Sequence, residues 1–170
     1  MYKFNYQMNY DEQTCSVVSY TGDEPEIEIP EQFCGRQVTI LLDNLFAGHP
    51  ELRSVRFPDS ITDFGEFLFD GCTELRKICL PADLRFLWGY TFARCGLDEI
   101  VIPDGVSRIP PYAFKDCTNL QKVVCGVGMK KIDAWAFSGC AQLTEVVYHS
   151  NVDVSPDAFG SNESILRISY

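Results

Sequence analysis

Phenylalanines recur along this chain at a nearly constant interval, and smaller apolar positions keep step with them. The intervals are 23, 23, 22, 23 and 22 residues. Self-similarity at such a period is typical of a solenoid, because a single short coil cannot bury its apolar side and must stack on its neighbours. We therefore expect an internal stack of aromatic rings. The six positions are Phe46, Phe69, Phe92, Phe114, Phe137 and Phe159.

Each repeat unit also contains a short run in which apolar and polar residues alternate. Alternation with period two indicates a half-buried β-strand. Proline ends the first three runs, and since proline cannot donate a ladder hydrogen bond, it favours a turn there. A second apolar pair follows in each unit, for example Leu84 and Leu87. The predicted strands cover residues 55–57, 78–80, 100–102, 123–125, 146–148 and 168–170.

The first 26 residues lie outside this repeat. Positions 2–8 alternate, Asp11 and Glu12 indicate a turn, and residues 14–20 are rich in β-formers. Since terminal repeats otherwise leave the core open, residues 1–26 are predicted to form a hairpin that caps the first coil. Residues 27–170 then form the repeats of the same single domain. Residues 165–170 form a strand with no evident cap, so this edge could pair with another chain.

Four cysteines occupy one column of the repeat, three residues after a lattice phenylalanine. Stacked coils would place neighbouring Cα atoms about 4.8 Å apart, which a disulfide tolerates. Parallel side chains would keep the Cβ atoms near that spacing as well, beyond the usual ~3.8 Å, so buried free thiols are favoured. A metal site needs converging ligands, which a linear column does not supply; His49 beside Cys72 is the remaining metal alternative. The column consists of Cys72, Cys95, Cys117 and Cys140.

The units at residues 75–81 and 109–117 read LRKICLP and IPPYAFKDC, and they resemble the BspA-like class of leucine-rich repeats. The resemblance covers residues 27–170. It implies a β-rich leucine-rich-repeat solenoid, a right-handed superhelix of the α/β-horseshoe-like class with little regular helix and about six coils. It also implies surface adhesins that bind host proteins or matrix, mostly exported and bacterial or protozoan. The chain departs from the pattern at Gly126 and His149 and, in the cysteine column, at His49 and Asn162.

Composition and charge narrow the functional classes. The formal charge is −10 in 170 residues, whereas nucleic-acid binding needs a clustered positive footprint. No apolar stretch is long enough for a membrane span. Residues 1–7 contain no secretory apolar core. Together with free cysteines this favours a cytoplasmic location, or the cell surface if a signal was trimmed.

Catalysis finds little support in the residues. The two histidines, His49 and His149, lie four coils apart, and no nucleophile-elbow, phosphate-loop or zinc-protease pattern occurs. The prediction is a protein that is not an enzyme and uses no cofactor or metal.

Recognition is predicted instead, through the outward positions of the strands. Valines would form an apolar stripe beside a basic cluster, a combination found at interfaces. The alternative explanation for the valines is their β-propensity, and the alternative for the basic residues is a solvated surface. Cys79 faces outward and is the predicted reactive thiol. The predicted partner-binding residues are Arg53, Arg56, Arg76, Lys77, Cys79, Val101, Lys122, Val124 and Val147.

A second column of aromatic residues precedes the lattice phenylalanines by two positions. If these rings project outward they suit stacking against a protein or a glycan; alternatively they pack one coil against the next. The column contains Phe67, Tyr90, Tyr112 and Trp135.

The predicted function is therefore a non-enzymatic protein-binding module, used for adhesion or for recognition of a host or partner protein through the sheet. The alternative is an intracellular adaptor or a structural protein that self-assembles into a homo-oligomer through its open C-terminal edge strand.

Overall fold

The fold is described by a computed structural model for residues 3–162 and 165–169, in which 15 β-strands and no helix occur. Every coil contributes a strand segment to one or both of two rows that run along the solenoid. The first row contains β3 (Glu26–Glu28), β6 (Ser54–Arg56), β9 (Glu99–Ile102), β11 (Lys122–Cys125), β13 (Glu145–Tyr148) and β15 (Leu166–Ser169). The second row contains β5 (Arg36–Leu41), β7 (Asp63–Phe64), β8 (Phe86–Leu87), β10 (Arg108–Ile109), β12 (Lys131–Ile132) and β14 (Asp153–Val154). The remaining strands are β1 (Phe4–Met8), β2 (Thr14–Tyr20) and β4 (Gln32–Phe33).

The registers of the strands follow the sequence repeat. In the first row Val123 pairs with Ile100 on one side and with Val146 on the other, all in parallel strands. These three side chains are buried, so the alternation predicted from the sequence is confirmed here. The predicted fold class, a solenoid of about six coils with an N-terminal hairpin, is likewise confirmed. The predicted end of the last strand at Tyr170 lies outside the described residues.

The lattice phenylalanines form the predicted internal stack. Successive ring centroids are 5.4, 5.4, 5.2, 5.2 and 5.5 Å apart, and the ring planes lie within 18° of parallel. All six side chains are at most 2% exposed. Offset stacking of this kind adds about 0.5–1.5 kcal/mol per pair to the gain from burial, and the stack extends through every coil from Phe46 to Phe159.

The cysteine column has a hydrogen-bonding function that sequence reasoning missed. The Cys95 and Cys117 thiols each lie 2.9 Å from the carbonyl oxygen of the lattice phenylalanine in the preceding coil, Phe69 or Phe92, and donate to it. Cys72 and Cys140 do the same at 3.2 and 3.0 Å. All four thiols are free, as predicted. Each of these carbonyls also accepts a backbone N–H within its own turn, as Phe69 does from Cys72 at 3.1 Å. The thiol is therefore a second, weak donor that joins one coil to the next and leaves its own S–H paired inside the core.

An N-terminal hairpin covers the first coil. Strands β1 and β2 are antiparallel, and β2 continues into the solenoid by pairing in parallel with β5. Val17 of β2 is fully buried, and the ring of Tyr20 packs edge-on against Phe46 at 5.6 Å. This agrees with the expected capping function, while the exact boundary at residue 26 stays a prediction. A second tight turn, at Cys34 and Gly35 between β4 and β5, was not foreseen.

The strand predicted at residues 78–80 does not form. Ile78 and Leu80 are half-buried and Cys79 is exposed, so the alternation is correct, but the backbone of this segment makes no ladder bonds. Proline ends this run and also the runs on either side, at Pro58, Pro81 and Pro103. Since proline has no N–H, none of the three can extend the ladder at that end. The first row is interrupted between β6 and β9, whereas β6 and β9 themselves, although each is followed by proline, pair with β3 and β11.

The second row is interrupted as well, between β8 and β10. In the neighbouring coils one backbone N–H after each short strand donates to a carbonyl of the preceding coil, as Trp88 does to Phe64 at 3.2 Å. The equivalent position in the next coil is Pro110, which cannot donate. The carbonyl of Leu87 consequently has no such partner, and the ladder between the two coils is interrupted at this point. The intact bonds at this position are Gly65 to Leu41, Trp88 to Phe64, Asp133 to Ile109 and Ser155 to Ile132.

We predict that Phe92→Ala, in the middle of the ring stack, lowers the free energy of unfolding by about 3–5 kcal/mol because it removes a fully buried ring from between two others. Phe86→Ala is the matched control, since the Phe86 side chain is 55% exposed and its loss should change stability by no more than about 0.5 kcal/mol. Urea unfolding followed by circular dichroism measures both. Equal losses for the two variants would contradict the ring stack as the core of the fold.

Candidate functional site

The first candidate surface is the sheet face, by which we mean the outward side chains of the first row and of residues 76–79. Val101 on β9 is 63% exposed. Val124 on β11 is the register partner of Val101, and Val147 on β13 is the next in the same column. Both are half-buried. The predicted apolar stripe is therefore narrower than expected, with one strongly exposed valine at the edge of the four-stranded sheet.

The predicted basic cluster on this surface is largely neutralised. Three of its cations form ion pairs with acidic residues in the adjacent coil, because opposite charges occupy neighbouring places in the same column. Such exposed pairs contribute little to stability, but they remove free positive charge from the surface. The pairs are Arg76 with Asp98 at 3.8 Å, Lys77 with Glu99 at 3.8 Å and Lys122 with Glu145 at 2.7 Å.

Two cations of the cluster keep their charge available. Arg53 and Arg56 are exposed, and neither has an ion-pair partner within 4 Å in the described part of the chain. Glu28 is the register partner of Arg56 across β3 and β6, yet no contact joins the two charges. The sheet face thus offers positive charge at the first coils and an apolar edge at Val101.

Cys79 lies beside a shallow groove at the interruption of the first row. The groove has a volume of about 450 Å³ and is lined by residues 77–80 and by the facing residues of β9 and Pro103. The thiol is exposed, as predicted, and Cys79 is the one cysteine among the nine predicted partner-binding residues.

The aromatic column (Phe67, Tyr90, Tyr112 and Trp135) is only partly continuous. Phe67 stacks on Tyr90 with ring centroids 4.6 Å apart, and Tyr90 stacks on Tyr112 at 4.9 Å, with planes within 13° of parallel. Trp135 takes no part in the stack and is 41% exposed. Coil-to-coil packing, one of the two expected functions of this column, therefore accounts for the first three rings and not for the fourth.

The backbone at these four positions is unusual. Their φ angles are 55°, 58°, 61° and 64°, in the left-handed region that bulky residues rarely adopt and that costs roughly 1–3 kcal/mol per residue. The corresponding residue of the first coil is Asn44, also at positive φ, and asparagine tolerates this region well. Large rings are thus held where a smaller residue would fit with less strain.

Beside the column lies a second surface, the aromatic groove, which sequence analysis did not identify. It opens where Pro110 interrupts the second row and has a volume of about 670 Å³. Phe86 and Trp88 project into solvent on its rim, 55% and 53% exposed, while Leu87 between them is buried. The alternation of side-chain direction at positions 86–88 could have shown that Phe86 and Trp88 face outward. Large aromatic residues, however, are more often taken as buried. Phe86, Trp88, Tyr90, Pro110 and Tyr112 define the groove.

Buried polar groups hold the backbone on both sides of the aromatic groove. Thr91 is fully buried, and its hydroxyl donates to the carbonyl of Trp88, with the carbonyl of Gly65 3.2 Å away. On the far side of the groove, Arg108 Nε donates to the nearly buried Asp133. Both walls are therefore held by buried polar groups.

Burial suppresses the reactivity of the interior thiols. Burial raises the pKa of Cys95 and of Cys117 well above the ordinary value and raises the pKa of Cys125 to about 12. Since the thiolate is the reactive form, none of these three is a nucleophile near neutral pH. Burial also raises the pKa of Asp70, against the opposing effect of Arg94, but no nucleophile accompanies this carboxyl group.

Metal binding and membrane insertion find no site in the described residues. No group of three or more His, Cys, Asp or Glu side chains within them could hold a metal ion. His49 was expected in the core column; its side chain is instead 22% exposed, and its Nδ1 lies 3.4 Å from Glu51 Oε1. Across residues 3–162 and 165–169 there is no helix of the length and apolar character needed to span a bilayer.

The repeat is shared with a known protein family and with several solved structures. Residues 39–166 match the BspA type leucine rich repeat region in six copies. No curated protein matches the chain. Among solved structures, the chain is similar to the T. pallidum leucine rich repeat protein TpLRR, with 27% identity over 89% of this chain and 83% of that chain and a TM-score of 0.72.

Two further structures share the fold at lower identity. One is a leucine rich cell surface protein from Faecalibacterium prausnitzii A2-165, with 24% identity, 98% of this chain, 52% of that chain and a TM-score of 0.73. The other is the pneumococcal vaccine antigen PcpA, with 18% identity, 89% of this chain, 38% of that chain and a TM-score of 0.77. The chain thus spans about half the length of the first and less of the second.

We predict that a thiol reagent such as DTNB at pH 8 reacts rapidly with two of the eight cysteines in the native protein, Cys34 and Cys79, which are exposed. The other six are buried and should react only when the protein unfolds, so all eight should titrate in denaturant without reductant. The double variant Cys34→Ser, Cys79→Ser should show no rapid phase. A rapid phase in that variant, or fewer than eight thiols in denaturant, would contradict the buried free-thiol column.

Proposed function

Because this chain belongs to the BspA-type leucine-rich repeat family, we propose that it is a non-catalytic module that recognises another protein through its sheet face, in adhesion or in binding of a host or partner protein. The observation that carries the proposal is the combination of Val101, strongly exposed, with the unpaired Arg53 and Arg56 on one preformed surface. Two proteins that share the fold, a cell surface protein and a vaccine antigen, support a role at a cell surface.

The physical basis of such recognition is rigidity. The first-row strands β3, β6, β9, β11 and β13 are anchored by inward side chains in a continuous core, so their outward residues lose little conformational freedom on binding. An exposed apolar residue supplies desolvation energy, and the unpaired arginines supply orientation and a faster encounter with an acidic partner. Arg76, Lys77 and Lys122 contribute less, since each already has an acidic neighbour. Val124, Val147 and Cys79 complete the proposed contact surface.

We predict that Arg56→Glu combined with Val101→Glu abolishes capture of partner proteins, because it reverses a free charge and buries a carboxylate in the interface. The measurement is a pull-down with the immobilised full chain from extracts of the source organism and of its host, with captured proteins identified by mass spectrometry. Melting temperature should change little, since both side chains are exposed.

The matched control is Lys130→Glu with Tyr10→Glu, which makes the same kinds of change at two turns outside the first row. Tyr10 is fully exposed at the turn of the N-terminal hairpin, and Lys130 is exposed with no ion pair among the described residues. The control should retain the captured proteins. If the sheet-face variant retains them too, the sheet face is not the binding surface.

The alternatives of an intracellular adaptor and of self-assembly stay predictions. Strand β15 pairs with β13 on one side, and no further strand lies on its other side in the part of the chain that the structure describes. Self-assembly through this edge requires a mass that rises with concentration in light scattering, whereas the proposed recognition module functions as a monomer.

A further inference from the structure

The aromatic groove has the features of a ligand site that is separate from the sheet face. It lies where the second row is interrupted, at the repeat in which Pro110 cannot donate the backbone hydrogen bond that the equivalent residues of the neighbouring coils make. Pro110 and Pro111 form part of one wall, and the stacked rings of Tyr90 and Tyr112 form the adjoining surface. Trp88 and Phe86 stand at the rim.

Several hydrogen-bond donors at this groove have no partner within the described part of the protein. The Trp88 indole N–H has no acceptor in the described part of the protein, and Tyr90 and Tyr112 each carry a hydroxyl that bonds to no described side chain or backbone group. Arg85 adds a guanidinium group, exposed and without an ion-pair partner in the same region. Acceptors are present as well, namely the Glu66 carboxylate, the Ser107 hydroxyl and the Leu87 carbonyl.

We propose that the aromatic groove binds a proline-rich protein segment in the polyproline II conformation, with an acidic residue next to the prolines. A polyproline II chain has no internal hydrogen bonds, so its carbonyl groups are free to accept from the groove, and its prolines bring no N–H that would need an acceptor. Aromatic-lined grooves suit such chains because the preformed helix loses little entropy on binding and its pyrrolidine rings pack between aromatic rings.

The spacing of the rings agrees with this ligand. Polyproline II advances ~3.1 Å per residue with three residues per turn, about 9.3 Å per turn. The centroids of Phe67, Tyr90 and Tyr112 are separated by 4.6 and 4.9 Å, so two coils of the solenoid match one turn of the ligand. Equivalent prolines on successive turns can therefore meet equivalent positions two coils apart.

Charge favours an acidic flank on the ligand. Arg85 lies at the groove in a protein of net charge −10, where most cations already have acidic partners. Arg108 is engaged by Asp133, so Arg85 is the cation that remains for a ligand carboxylate. Glu66 disfavours a second carboxylate on its side, which limits the acidic residue to one end of the segment.

This inference does not rest on the sheet-face proposal, because the groove lies on the second row of strands and shares none of the residues proposed for the sheet face. The experiment therefore uses variants of both surfaces, so that failure of one proposal leaves the other intact.

The test uses a fluorescein-labelled peptide of about ten prolines, ~31 Å long in polyproline II, with glutamates at one end, titrated with the full chain by fluorescence anisotropy. A glycine–serine peptide of equal length and charge is the control ligand. We expect saturable binding of the proline peptide in one of the two orientations of the glutamates. The glycine–serine peptide should bind at least about tenfold more weakly, the loss that corresponds to ~1.4 kcal/mol.

The variants locate the site. Trp88→Ala should weaken binding at least about tenfold, as for an interface hot spot, and Arg85→Glu should weaken the glutamate-bearing peptide more than an uncharged one. Trp135→Ala is the matched control, because it removes the chain's other tryptophan, which is 41% exposed and lies outside the groove, and it should leave affinity unchanged. Arg56→Glu with Val101→Glu should also leave it unchanged. Melting curves of each variant confirm folding.

Three results overturn the proposal. Equal affinity for the two peptides would mean that charge alone drives association. Equal losses in Trp88→Ala and Trp135→Ala would place binding outside the groove. Saturable, Trp88-dependent binding of a β-linked hexasaccharide in a protein that does not bind the proline peptide would make the groove a carbohydrate site instead.

Discussion

Burial by stacking is the constraint on which this structure depends. A coil of 22 or 23 residues encloses too little apolar volume to be stable alone, so its apolar side chains must be covered by the next coil. The six stacked phenylalanine rings provide part of that contact in every coil, and the cysteine thiols add a hydrogen bond from one coil to the next. Because each coil repeats the same solution, every outward position of the sequence is also placed in a straight column along the solenoid.

These columns explain how a regular core can carry an irregular surface. Where opposite charges follow one another in a column, as Lys122 and Glu145 do, they neutralise each other across neighbouring coils. Where a proline replaces a residue whose N–H would join two coils, the ladder opens. The missing bond to the Leu87 carbonyl, beside the aromatic groove, arises in this way. The loss of backbone donors at one repeat thus accompanies a concave surface that a ligand can enter.

The sequence allowed the core to be predicted almost completely, since inward positions are constrained by packing. Phe92 and Cys95 must recur at the coil interval because any displacement would leave a cavity or place a larger group in a close-packed core. The prediction of a strand at residues 78–80 was wrong for a different reason. Alternation reports which way side chains face, and it does so correctly there, but it does not report whether the backbones of two coils lie close enough to bond. That depends on how the coils are placed relative to one another.

The surface was less predictable, because outward residues are not restrained by the repeat. The sequence by itself determined the solenoid, its number of coils, the ring stack, the buried thiols and the N-terminal hairpin, all of which follow from periodic burial. Only the tertiary structure decided that Arg76 and Lys77 are paired while Arg53 and Arg56 are not, that Val124 is half-covered, and that Phe86 and Trp88 flank a groove. These properties depend on distances between coils, which are adjacent in space but about 22 residues apart in the chain.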